Sequence, residues 1–117
     1  MHRIHYAGDS IVTGSAIARA VLDYAQALAQ VSASATVDLP TLESDGSRGS
    51  AELLLGPASQ LTAHEEGDDH GDEVVDDVLV QRMNSAAVRL RRFGPDSPTA
   101  EIITAHSRDE WSMDDEY

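Results

Sequence analysis

Near the start of the chain, Ile17, Val21, Tyr24, Leu28 and Val31 follow one another at steps of four, three, four and three. That spacing places them on one face of a helix. Ala16, Ala18, Ala20, Ala25, Ala27 and Ala29 fill much of the remaining surface, and alanine is the strongest helix former. The pattern predicts a helix over 13–31, entered through Gly14 and capped by the hydroxyl of Thr13 or Ser15. Few polar residues interrupt it, so it is expected to be covered on more than one side, by a sheet and by a second helix from this chain or another copy.

Elsewhere the period shortens to two. Ile4 and Tyr6 alternate with Arg3 and His5, which reads as a half-buried strand. Gly8-Asp9 is expected to turn the chain and Ile11-Val12 to pair back. Residues 35–39 read as another strand, closed by Pro40, which has no N–H for a ladder. Asp45-Gly46 is a hairpin signal, with strands 50–55 and 60–64 after it, separated by the turn at Gly56-Pro57.

A second helix is predicted over 74–93 from the stripe Val75, Leu79, Met83, Ala86, Leu90 and Phe93. Aspartates and Glu73 lie in its first turns and Arg89, Arg91 and Arg92 in its last, a distribution that complements the helix dipole. Gly94-Pro95 stops it. Residues 99–105 suggest one more edge strand. The expected fold class is therefore α+β: a small antiparallel sheet of three to five strands, covered by a long helix, with a second C-terminal helix. In chain order this gives a strand–helix–strand–hairpin core over 1–65, an acidic mobile loop over 66–73, the second helix over 74–93, and a linker, possible edge strand and acidic tail over 94–117.

Composition narrows the function classes. The 117 residues suit one domain. With no cysteine, disulfides and thiolate metal sites are excluded. No apolar run is long enough to span a bilayer, and the N-terminus lacks a signal-like apolar core, so a cytoplasmic location is expected. The basic residues are all arginine, and alanine and aspartate are abundant, a bias that points to a GC-rich bacterial genome. A formal net charge of -13 argues against nucleic acid and anionic membranes as partners, because both demand cationic side chains.

Three stretches carry candidate chemistry. Gly8-Asp9-Ser10-Ile11-Val12 follows a strand and resembles the first block of the GDSL-type esterases, which implies Ser10 as a nucleophile. The resemblance covers about seven residues. The family's Asp-x-x-His pattern and oxyanion asparagine have no counterpart: none of His64, His70 and His106 follows an aspartate at that spacing, and Asn84 lies deep in the predicted second helix. His64, Asp69 and His70, within an acidic run, are candidate ligands for a divalent metal, since imidazole with carboxylate suits zinc, nickel or manganese. No metal-motif spacing accompanies them, and no cofactor is assigned.

Arg82, Arg89 and Arg92 form a basic stripe that suits an acidic protein partner. Trp111 is flanked by acids in the tail and is expected to dock on that stripe. Taken together, the sequence favours a non-enzymatic, self-associating interaction module, a homodimer formed through apolar surface left over by two helices on a small sheet. The alternatives are a small esterase-like or metal-dependent hydrolase using Ser10 or the His/Asp cluster, and a small-ligand binder.

Overall fold

The computed structural model describes residues 1–67, 72–95 and 101–103, with the backbone course alone for 101 and 102. It shows the α+β class that the periodicity predicts. β1 (His2–Tyr6) and β2 (Asp9–Thr13) form a hairpin in which Ile4 lies opposite Ile11, Arg3 opposite Val12 and Tyr6 opposite Asp9. Its two-residue turn is Ala7-Gly8, with φ of 52° and 82°. Positive φ at both central residues matches the right-handed twist of the strands. Asp9, expected in the turn, is instead the first residue of β2.

α1 (Ser15–Gln30) follows directly and buries Ile17, Val21, Tyr24 and Leu28, four members of the predicted stripe. The expected hydroxyl cap is absent. Gly14 is the N-cap, with no side-chain cap hydrogen bond. The Thr13 hydroxyl instead donates to the carbonyl of Pro40 at 2.7 Å, and the Ser15 N–H is taken by the Glu73 carboxylate at 2.6 Å. A carboxylate from a distant segment thus does what a local hydroxyl was expected to do. Gly14 is buried where the backbone of Val74 crosses it, and a Cβ there would meet the Val74 carbonyl.

β3 (Ala35–Leu42) and β4 (Arg48–Leu55) pair along their whole length through a hairpin whose Gly46 sits at φ 89°. β3 does not stop at Pro40 as expected. The Pro40 carbonyl points toward Thr13, away from β4, and the proline nitrogen shares that side. There β3 meets β2 at a single pair, Val12 with Leu42, so no ladder needs the missing donor. β5 (Leu61–Glu65) pairs with the free side of β1. The antiparallel order is β4-β3-β2-β1-β5. The edge strand expected over 99–105 is described as β6 (Glu101–Ile103), lying parallel to the start of β3, with Ile103 buried.

The two ends of this sheet meet. Five residues, 56–60, connect β4 at one end of the order to β5 at the other. At no more than about 3.6 Å per residue, such a link requires the sheet to curl. The Tyr6 hydroxyl of β1, the strand beside β5, reaches across to β4, accepting from the Leu54 N–H at 3.1 Å and donating to the Leu54 carbonyl at 3.2 Å.

α2 (Asp77–Phe93) begins three residues later than predicted, behind the N-cap Asp76, whose side chain accepts from the Leu79 N–H. Leu79, Met83, Ala86, Ala87 and Leu90 are buried. Val75 and Phe93, expected at the two ends of the stripe, are 66% and 74% exposed. Val74 takes the buried place, because 73–76 lies outside the helix and the Val74 backbone crosses Gly14 at the start of α1, so helical spacing does not apply there. α2 packs beside α1 in the same chain, and Arg91 crosses to the Asp23 carboxylate at 2.8 Å.

Candidate functional site

Both helices lie on the sheet face that carries Ile4, Val37, Leu39, Leu53 and Leu55. Alternation sends the intervening residues to the opposite face, where β2, β1 and β5 present Ser10, Arg3, His5, Thr62 and His64. On this polar face, side chains of neighbouring strands bond to one another.

Arg3 is its centre. The guanidinium forks onto Glu66, with Nε at 3.0 Å from Oε2 and Nη2 at 3.3 Å from Oε1, and its Nη1 donates to Ser10 Oγ at 2.9 Å. Arg3 is a fixed cation and does not accept a proton. His5, directly across from Ser10 in the β1–β2 register, points its Nε2 at another imidazole. Ser10 therefore has a positively charged donor as its side-chain partner and no hydrogen-bonded base, which a serine nucleophile requires. Beside it lies a hollow of about 430 Å³ lined by Arg3, Ser10, Val12, Leu42 and Glu43, among others.

The imidazole pair is the second element. His5 Nε2 and His64 Nε2 are 2.8 Å apart, and the ring planes differ by 11°. Atoms of stacked rings keep roughly 3.5 Å or more between them, so near-parallel rings this close meet edge to edge, through one N–H···N hydrogen bond. One ring donates and the other accepts.

A separate cluster sits where α1 begins. His2 Nδ1 lies 2.8 Å from Ser15 Oγ. Glu73 bridges the Ser15 N–H and the terminal ammonium of Met1, the latter at 3.0 Å. The Ser15 backbone hydrogen bond, followed by the one from the ammonium, holds the Glu73 carboxyl below its ordinary pKa. A serine beside an imidazole suggests acyl transfer. However, the N–H groups at this helix start, which would receive an oxyanion, already face a carboxylate, and negative charge there opposes a developing alkoxide.

Of the sequence-derived candidates, Ser10 and His64 lie on the polar sheet face, Ser10 bonded to Arg3 and His64 to His5. Asp69, His70 and Trp111 lie outside the described residues. Among the described residues no group of three or more histidine and carboxylate side chains is placed to hold a metal ion. Arg82, Arg89 and Arg92 are on α2, and Arg82 and Arg89 both have partners. Arg3, His5, His2, Ser15 and Glu73 were missed as site residues. Alternation alone put Arg3 and His5 on an outward face, but nothing local announces that β5 will lie beside β1.

Comparison with protein-family models, with curated proteins and with solved structures finds no match to this chain. Among the described residues, no helix is long and apolar enough to cross a membrane.

Proposed function

We propose that the protein is a non-enzymatic, self-associating interaction module of the bacterial cytoplasm that pairs with a second copy through the outward face of α2. The observation that carries this reading is the pattern on that face. Val78 and Val88 are 52% and 51% exposed, and between them lie the exposed Gln81 and Ser85, with Asp77 and Arg89 at the ends. Helical spacing puts all six on one side, away from Leu79, Met83 and Leu90.

Two such helices laid antiparallel about a two-fold axis are self-complementary. Val78 meets Val88 of the other copy, Gln81 meets Ser85, and Asp77 meets Arg89, each pair occurring twice. The acidic start and arginine-rich end of α2 favour this antiparallel order over a parallel one. α1 is already covered by α2 within the chain, so α1 contributes little to such an interface.

Light scattering at tens of micromolar gives a dimer mass for the native chain on this reading. Val88→Arg and Asp77→Arg each give a monomer, and the exchange Asp77→Arg with Arg89→Asp restores the dimer. A native monomer, or a dimer that Val88→Arg leaves intact, sinks the proposal.

A further inference from the structure

We propose that His5 and His64 form a two-point chelate for a borderline divalent ion, such as Zn²⁺, Ni²⁺ or Cu²⁺, on the polar face of the sheet. His5 and His64 sit on paired strands, two positions out of register and on one face: His5 lies opposite Thr62 and Arg3 opposite His64. Both backbones are fixed by the ladder, so the two rings stay close without an ordering cost for the main chain.

Distance is the next point. Two imidazole nitrogens, each about 2.0–2.1 Å from one ion, stand about 2.8–3.4 Å apart for angles from a right angle to tetrahedral. The observed 2.8 Å lies at the right-angle end of that range, and exposed rings reach the rest of it by rotation. Chelation uses both Nε2 lone pairs. The hydrogen held between the two rings exchanges away through water, which frees both Nε2 lone pairs for the ion.

The surroundings agree. The guanidinium of Arg3 is the nearest cation in the register, and Glu66 neutralises it through two contacts. The formal charge of -13 draws divalent cations toward the protein. Among the described residues no third ligand is placed, so water completes the shell. Imidazole as the protein donor selects the late first-row ions over Mg²⁺ and Ca²⁺, with Cu²⁺ the tightest.

The test is calorimetric titration of the full chain with CuCl₂, NiCl₂ and ZnCl₂ in a non-coordinating buffer. The expected result is one ion per chain, in the order Cu²⁺ above Ni²⁺ and Zn²⁺, with no heat from MgCl₂. His5→Gln and His64→Gln each weaken binding by about 10²-fold, the loss of effective concentration when one of two linked donors goes. Both positions are exposed, so these variants keep the native circular dichroism and melting curve without metal. Asp69→Asn with His70→Gln leaves the titration unchanged. The proposal fails if the native chain takes up no ion, if His5→Gln binds as the native chain does, or if the Asp69/His70 variant abolishes binding.

Discussion

The two faces of the sheet are built from the same strands and do opposite work. On the helix side, Ile4, Val37, Leu39 and Leu55 are fully buried together with Ile17, Val21 and Tyr24 of α1. On the other side, one residue along in each strand, Arg3, Ser10, His5 and His64 meet through charged and aromatic polar atoms. The first face is held by area removed from water, which is non-directional and tolerates exchange of similar shapes. The second depends on particular atoms at particular distances and adds little to stability, because its groups remain near solvent. The division frees the polar face to vary chemically while the fold stays fixed.

Substitutions that separate the faces test this contrast. Leu39→Ala removes a fully buried side chain and is expected to cost about 2–5 kcal/mol in chemical denaturation. A loss below about 1 kcal/mol would show that the helix side is not the stabilising face. Gly14→Ala puts a methyl group against the Val74 carbonyl, where backbone has to yield, and overpacking of this kind costs about 1–3 kcal/mol. Thermal melts of that variant report whether the crossing of 73–76 over α1 is as tight as it stands.

Glu73→Gln tests the link between the acidic segment and α1. Its carboxyl is held below the ordinary value in the folded chain, so its contribution is fully present above the ordinary carboxylate range and fades as pH falls through the folded value. The native chain is therefore expected to lose stability on the acid side more steeply than Glu73→Gln. Glutamine keeps an oxygen that accepts from the Ser15 N–H, so the loss at neutral pH is that of a negative charge at the helix start, about 0.3–1 kcal/mol. Ala7→Gly, at a turn position with φ 52°, relieves a left-handed conformation that costs a non-glycine residue roughly 1–2 kcal/mol, and after roughly 0.4–1 kcal/mol of added unfolded-chain entropy a net gain below about 1 kcal/mol is expected in thermal melts. His5→Ala, on the polar face, is expected to change metal-free stability by no more than about 0.5 kcal/mol. A loss comparable to that of Leu39→Ala would erase the distinction between the faces.

How far the sequence announces these features depends on how local they are. The alternation of Arg3, Ile4, His5 and Tyr6 and the step of Ile17, Val21, Tyr24 and Leu28 are short-range patterns, and the strand and helix follow them. Asp45-Gly46 is likewise self-contained. The start of α2 was not legible, because Val74 and Val75 are equally apolar and only the crossing over Gly14 decides which one is buried. The polar face was less legible still. His5 and His64 are separated by 59 residues, and their proximity follows from the β1–β5 pairing rather than from any motif. The esterase-like block around Ser10 shows the converse. A good local match landed in a strand whose serine faces an arginine.

The pairing of β1 with β5 also bears on how the chain reaches this state. The β1–β2 and β3–β4 hairpins join neighbours in sequence, whereas His2 meets Glu65 across more than half of the chain. Closing so long a loop costs entropy that only later contacts recover, so high contact order delays that step. β5 is therefore expected to dock after the folding barrier has been crossed. Interactions absent from the transition state act on the rate of unfolding and leave the rate of folding nearly untouched. An ion held between His5 and His64 would then work as a kinetic brake, lengthening the lifetime of the folded chain without hastening its formation, with stopped-flow chevron arms recorded with and without Zn²⁺ showing the effect on the unfolding limb.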